Sequence, residues 1–211
     1  SGLALGPDYP AYDRSKAEGE RLVLEAADRG LDAVIVNPTS VVGPYDFKPS
    51  PQGVALLAMV CKPYLPVVHA GYDWVDVRDV VSGALAAMEK GRTGESYLLA
   101  NRRLTFRQIA NAIKEGTGLT VPPLTVPLWT GYLGAPFARA YASIFGGRQL
   151  LTLESIRILK RHQRVSHDKA DRELGYAPRP FVETMADSFA WYRDAGMLPR
   201  RLVNRLALAA S

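Results

Sequence analysis

A helix followed directly by a β-branched strand organises the first 44 residues of the chain. Pro10 stands where a helix can begin, because its missing N–H is harmless in the first turn, and Gly30 stands where that helix would end. We therefore predict a helix over residues 10–29. The run "DAVIVNP" then predicts a buried strand over residues 33–37, with a loop over residues 38–44. This order of elements is typical of parallel α/β sheets.

The alternation of helices and strands continues along the chain and predicts an α/β fold. A strand is expected in "ESYLLAN", and further helices are expected over residues 52–61, 77–90 and 105–114. Gly91 would end the second of these helices, and Thr105 with Gln108 would form a capping box at the start of the third.

After residue 100 the pattern becomes mostly helical, and no internal repeat is visible. Helix starts are expected near Leu128, Leu153, Asp168 and Pro180. We therefore expect two units, residues 1–100 with the sheet and residues 101–211 as a mostly helical cap.

Tyr12 and Lys16 lie one turn apart at the start of the first helix. Helical geometry puts residues 12, 16, 19, 20 and 23 on one face, where the small Gly19 would let another backbone approach. The two side chains are either a proton-transfer pair or a solvated couple on a helix face, and the spacing alone does not decide, because the chain holds 10 tyrosines. Ligands of parallel sheets bind at the carboxyl ends of the strands, close to where this helix would begin.

Composition excludes several classes of site. Cys61 is the one cysteine, so an internal disulfide and a thiolate metal site are excluded and a reducing cytoplasm is expected. The three histidines, His69, His162 and His167, lack the spacing of metal ligands. The net charge of +5 is spread out, and its one dense run, residues 157–164, is typical of a solvated helix face. We therefore expect neither a metal nor a nucleic-acid partner.

The longest uncharged stretch, residues 119–138, approaches the length of a membrane span but contains four prolines and two glycines. These residues would repeatedly break a spanning helix, so no membrane span is expected. Two interpretations stay open: core packing, or an apolar wall over a partly apolar small-molecule substrate.

Five motifs, in order along the chain, carry a resemblance. They are "YDRSK", "VNPTSVVGP", "DWVDVRDVVSGAL", "GESYLLANRRLTFRQIANAI" and "DKADRELGYAPRPFVETMADSFAWYRDAG". Together they resemble the extended short-chain dehydrogenase/reductase family, especially its NAD-dependent epimerase/dehydratase group and the dihydroflavonol-reductase-like branch. The resemblance implies the carboxyl-terminal part of a Rossmann-type parallel sheet with a mostly helical substrate-binding cap.

The resemblance also implies the roles of individual residues. Tyr12, Lys16 and Ser1 would be catalytic, with NAD or NADP as the cofactor. Lys16 would also bind the ribose of the nicotinamide, which Pro38 and Thr39 would border, while Ser40 would face the substrate. These last residues also fit a simple strand-ending turn.

The family's glycine-rich GxxGxxG turn, which holds the dinucleotide pyrophosphate, does not occur in this sequence. The chain therefore resembles the carboxyl-terminal portion of a longer enzyme, and residues 1–211 alone are expected to be inactive. The loop between Ser1 and Tyr12 is also shorter than the family's usual one.

The segment "DVRD" offers two carboxylates and a cation. Asp79 resembles a helix-capping residue, whereas Arg78 or Trp74 would contact substrate. In "RELGYAPR", the pattern predicts that Leu174 packs inside and that Gly175 ends a turn.

Two functions follow from the resemblance. The first is an NAD(P)-dependent oxidoreductase, epimerase or dehydratase acting on a sugar nucleotide or on a ketone or alcohol of mixed polarity. The alternative is a non-catalytic regulatory relative with the same fold. In either case, apolar positions such as Leu22 and Ala26 predict a homodimer through the helix of Tyr12 and Lys16.

Overall fold

The computed structural model describes residues 6, 9–62, 67–121, 125–127, 130 and 165–209. Its helices are α1 (Ala11–Asp28), α2 (Pro51–Cys61), α3 (Val77–Lys90), α4 (Phe106–Thr117), α5 (Asp168–Leu174), α6 (Phe181–Asp194) and α7 (Arg200–Ala209). Its strands are β1 (Ile35–Pro38), β2 (Ser40–Val42), β3 (Val67–Val68), β4 (Gly71–Asp76), β5 (Ser96–Leu99), β6 (Arg102–Thr105) and β7 (Thr125–Val126).

Parallel pairing dominates the sheets, as an α/β fold requires. β1 pairs with β5, β2 with β4, and β3 with β7, all in parallel. β6 pairs with β4 in the antiparallel sense and completes the order β2-β4-β6. The predicted α/β class is therefore confirmed, with one antiparallel edge that the pattern did not predict.

The predicted first helix and strand agree with α1 and β1 to within two residues. Pro10 is the residue before the first helical turn, and Gly30 follows the helix at φ +101°, in the left-handed region that favours glycine. The N–H of Gly30 donates to Ala27 O, which closes the helix end.

The predicted loop over residues 38–44 is wrong in part, because it contains β2. The chain leaves its pairing with β5 after Pro38, passes through Thr39 and enters a second sheet beside β4. Three residues are too few for a periodic pattern, and the flanking proline and glycine concealed the strand. The chain therefore changes sheets at Thr39.

Two hydrophobic cores lie on either side of this change of sheets. The first joins α2, β4, α4 and α6 through buried residues such as Leu56, Trp74, Ile113 and Phe189. The second is smaller and joins α3, β5 and α5 through Ala87, Tyr97, Leu99, Leu174 and Tyr176. Both cores contain residues from each side of position 100, and the division into units at that position stays a prediction.

The start of α3 corrects one expectation. The side chain of Asp76 caps this helix by accepting from the N–H of Arg78, so Asp79 is not the capping residue. A carboxylate at either position fits the sequence pattern, and the choice depends on where the strand ends. The predicted bounds of the helix, residues 77–90, are confirmed, as is its end at Gly91.

Two further local predictions are confirmed. Thr105 and Gln108 form the reciprocal capping box at the start of α4, which runs three residues beyond its expected end. Gly175 follows α5 at φ +69°, and Leu174 is buried. α5 and α6 begin where helix starts were expected.

Several predictions fall outside the described residues. They concern the helix starts near Leu128 and Leu153, the basic run 157–164 with His162, and most of the uncharged stretch 119–138. Within the described ranges, no helix has the length and apolar character needed to cross a membrane.

Candidate active site

The amino-terminal half of α1 carries the predicted proton-transfer pair. The Nζ atom of Lys16 lies 5.8 Å from the centre of the Tyr12 ring, and Tyr12 is 70% exposed. In the described part of the chain, Lys16 forms no ion pair, and nothing approaches within 4 Å of the place where Gly19 would carry a Cβ. This face of α1 is therefore open to a ligand or to another segment.

The segments on the two sides of Gly30, from Tyr12 and to Pro38, span nearly equal lengths. Leu31 donates to Ala26 O, so the chain reverses just after the helix. Tyr12 precedes Gly30 by 18 residues, about 27 Å at a helical rise of about 1.5 Å. Pro38 follows Gly30 by eight residues, about 26 Å at an extended rise of about 3.3 Å. A helix that ran antiparallel to this strand would therefore begin level with the strand's end.

The ends of β1 and β5 lie side by side. Pro38 is in register with Leu99, and the N–H of Thr39 donates to Leu99 O at 3.2 Å. Pro38 itself is exposed. The ends of β1 and β5 therefore form one carboxyl edge, and ligands of parallel sheets bind at such edges.

Asp73 fixes both strand ends from the neighbouring sheet. Its Oδ1 atom accepts from Thr39 Oγ1 at 2.7 Å and from the N–H of Asn101 at 3.2 Å. Burial raises the pKa of the Asp73 carboxyl, while these two hydrogen bonds and the charge of His167 act in the opposite direction. Sequence reasoning missed Asp73 and Asn101, because neither lies in the motif that contains its partner.

Arg78 lies in an ion-pair network. Its guanidinium donates to Asp76, which is completely buried, and to Asp187 on α6 at 2.6 Å. Nearby, Arg179 donates to Asp79 from both its N–H and its Nε atom. The network ties α3 to α6 and to the segment before α6. Substrate contact by Arg78 stays a prediction.

Two of the remaining predicted residues, Ser40 and Trp74, lie on the β2-β4 pair. Ser40 is half-buried, and its register with Trp74 puts both residues on one face of the β2-β4 pair. Trp74 is completely buried and stacks on Tyr72 with the ring centres 4.7 Å apart, as a core residue does. Ser1 lies outside the described residues.

Among the described side chains, no group of three or more histidine, cysteine or carboxylate residues could hold a metal ion. Cys61 is half-buried and its thiol forms no disulfide bond. Burial raises the pKa of this thiol. Cys61 lies at the end of α2 and does not contribute to the candidate site on α1.

The comparisons with known proteins agree with this architecture. A model described as the NAD dependent epimerase/dehydratase family matches residues 5–100. The chain is 38% identical over 191 residues to "Sterol demethylase protein B" of Methylococcus capsulatus, covering 89% of this chain and 58% of that protein. The chain belongs to the extended short-chain dehydrogenase/reductase family.

Two further members of this family illustrate its range. A putative dihydroflavonol 4-reductase of Synechocystis is 31% identical over 190 residues, covering 88% of this chain and 55% of that protein. The crystal structure of a nucleoside-diphosphate-sugar epimerase from Pseudomonas aeruginosa has a TM-score of 0.69 and 25% identity, covering 93% of this chain and 59% of that one. The chain thus spans little more than half the length of these relatives.

Proposed function

We propose that this chain forms the proton-transfer and substrate-binding part of an NAD(P)-dependent oxidoreductase, epimerase or dehydratase. The observation that carries the proposal is the proximity of Tyr12 and Lys16, one turn apart on α1, with the Tyr12 side chain exposed. Family membership supports the class of enzyme. In the following tests, "full-length protein" means the natural polypeptide that contains these 211 residues.

Tyr12 would transfer the proton, and Lys16 would make that transfer possible. A phenol hardly ionises near neutral pH, so it needs a neighbouring cation that stabilises the phenolate. Lys16 supplies that charge one helical turn away and carries no competing carboxylate in the described part of the chain. Ser40, and Ser1 at the start of the chain, would hold the substrate oxygen that exchanges the proton.

The residues at the edge fit the nicotinamide end of NAD or NADP. The Lys16 ammonium can donate to ribose hydroxyls, the exposed ring of Pro38 offers an apolar surface, and Thr39 follows it at the strand end. The cofactor, when bound, supplies hydride chemistry at C4 of its ring. This sequence contains no GxxGxxG turn for the pyrophosphate. We therefore expect residues 1–211 alone to bind NAD(P)H no better than about millimolar and to be inactive.

We propose a small-molecule substrate that carries a carbonyl or hydroxyl group on a body of mixed polarity. The named relatives support this range, since their names refer to a sterol, a dihydroflavonol and a nucleoside-diphosphate sugar.

The absence of a disulfide partner for Cys61 supports a reducing compartment such as the cytoplasm.

The test is turnover by the full-length protein with NADH and with NADPH, measured as loss of absorbance at 340 nm. The substrates are sugar nucleotides in one panel and sterol-like or flavonoid-like ketones in the other. We expect turnover with one cofactor and one panel, lost in Tyr12→Phe and retained in Tyr9→Phe, which removes a hydroxyl just outside the same helix. Cofactor binding with no turnover in any combination would instead favour the non-catalytic alternative.

We also propose that α1 contributes to a homodimer interface. Leu22 is 51% exposed and Val23 is 36% exposed, so two adjacent apolar side chains of α1 lie at its surface. The mass of the full-length protein, measured by light scattering, should be twice that of the monomer and should fall in Leu22→Glu. A parent protein that is strictly monomeric at high concentration would contradict the interface.

A further inference from the structure

Asp73 holds together three points of the chain that are far apart in sequence. It lies on β4, is only 8% exposed, and accepts through one oxygen from Thr39 and from Asn101. Thr39 follows the last residue of β1, and Asn101 lies two residues after the end of β5. A single carboxylate from one sheet therefore fixes the ends of both strands of the other sheet.

The same contact controls the direction of the chain at the proposed site. Thr39 lies between Pro38, which would border the nicotinamide, and Ser40, which would face the substrate. The N–H of Thr39 donates to Leu99 O, and its hydroxyl donates to Asp73. The backbone and the side chain of Thr39 are thus tied to different strands, which leaves the Pro38–Thr39 peptide little freedom to rotate.

Asn101, the other residue held by Asp73, is fixed from its far side as well. Its Nδ2 atom donates to the backbone oxygen of Arg179 at 2.8 Å, and Arg179 is held by Asp79 on α3. Asn101 is therefore a fixed partner for the Oδ1 atom of Asp73. This contact keeps the Asp73 carboxylate in place if Thr39 moves.

We propose that Asp73 is a positioning residue, which sets the distance between the Pro38–Ser40 segment and the Tyr12 hydroxyl by fixing Thr39 at the strand end. This inference rests on the proposed function. Small displacements of reacting groups can cost about a hundredfold in rate, so losing this contact should reduce the rate of the chemical step. The cofactor's affinity should change little, because the displaced segment borders only its nicotinamide end.

The alternative is that Asp73 serves only the stability of the fold, and the variants are chosen to separate the two. Asp73→Ala removes the acceptor, whereas Asp73→Asn keeps a carbonyl oxygen of the same reach. Thr39→Val removes the donated hydroxyl at nearly constant shape. Tyr97→Phe is the matched control, because it removes a buried hydroxyl of β5 whose partners, Arg92 and Glu173, lie away from the strand ends.

The experiment measures kcat, the Kd of NAD(P)H and the unfolding midpoint of the full-length protein for each variant. We expect Asp73→Ala and Thr39→Val to lower kcat at least tenfold, with the Kd of the cofactor within about threefold of the parent value. Asp73→Asn should restore kcat to within about threefold, and Tyr97→Phe should lower only the unfolding midpoint. The double variant Thr39→Val/Asp73→Ala should be no slower than Asp73→Ala, because Asp73→Ala already removes the Thr39 contact.

Three results would overturn the inference. The first is an Asp73→Ala variant with the kcat of the parent and a lowered unfolding midpoint. The second is an equal loss of kcat in Asp73→Asn and Asp73→Ala. The third is a double variant whose loss of kcat is the sum of the losses of the two single variants. If Asp73→Ala does not fold, the kcat values of Thr39→Val and Asp73→Asn test the inference instead. A Thr39→Val variant with the kcat of the parent would then overturn the inference. A parent that does not turn over removes the proposed function and this inference together, whereas a parent that needs Tyr12 but not Asp73 removes this inference alone.

Discussion

Replacing Asp76 with alanine should destabilise the protein far more than replacing the other carboxylate that binds the same arginine. Asp76 is completely buried, caps α3 through the N–H of Arg78, and also accepts from the Nε and Nη2 atoms of that side chain. Asp187 accepts from Arg78 Nη1, but its side chain is 49% exposed. The two variants therefore remove a buried partner and a solvated partner of one guanidinium.

The burial of each partner gives the expected magnitude. Breaking a buried ion pair costs about 3–5 kcal/mol, because it leaves a charge without its partner. The Arg78 side chain is 30% exposed and keeps Asp187, which favours the lower end of that range. The loss of the helix cap adds about 1 kcal/mol, so Asp76→Ala should cost about 4 kcal/mol. Asp187→Ala breaks a solvated pair and should cost about 0.2–1 kcal/mol.

Urea unfolding of the full-length protein, followed by tryptophan fluorescence, measures both costs. Asp76→Asn belongs in the same series, because its carbonyl can still cap α3 while the charge is lost, so an intermediate cost is expected. Equal costs for Asp76→Ala and Asp187→Ala, or a cost below about 1 kcal/mol for Asp76→Ala, would refute the reasoning from burial.

Three further predictions concern the stability of the fold. Burial raises the pKa of Asp76, but the Arg78 hydrogen bonds outweigh burial, so the pKa is lowered overall. The contribution of Asp76 to the stability of the fold is therefore present above about pH 4 and is lost as the pH falls further. Acid titration of the Asp76→Asn variant should lack this loss. Thr105→Ala removes one half of the capping box and should cost about 1 kcal/mol in urea, whereas Thr105→Ser should be close to neutral. Gly175 adopts φ +69°, and no described atom lies within 4 Å of the place where a Cβ would be. Gly175→Ala should therefore destabilise the fold by about 1–2 kcal/mol. Gly175→Asn should cost less, and the unfolding midpoint measures both.

The sequence predicted those features of the fold that depend on local signals. The end of α1 at Gly30, the bounds of α3 and the capping box of α4 each follow from a few adjacent residues, and all are confirmed. β2 and β6 were missed, because each is short and is stabilised by pairing with β4 and not by its own pattern. The Asp73 contact was missed because its partners follow the ends of two other strands and are distant from it in sequence.

The candidate site shows the same division between local and long-range information. The spacing of Tyr12 and Lys16 was visible in the sequence because one helix carries both. The ion pair of Arg78 with Asp187 joins residues 109 positions apart in sequence, so no local pattern indicates it. The functional roles of Ser1, Pro38, Thr39 and Ser40 stay predictions that kinetics must test.

The most direct test of the account compares turnover with cofactor affinity when only the Tyr12 hydroxyl is removed. In the full-length protein, Tyr12→Phe should lower kcat at least about a hundredfold and leave the NAD(P)H Kd, measured by fluorescence titration, within about twofold, because only proton transfer is lost. Lys16→Ala should damage both quantities, since its ammonium would serve the phenolate and the ribose. A Tyr12→Phe variant that turns over like the parent would contradict the assignment of Tyr12 as the proton-transfer residue.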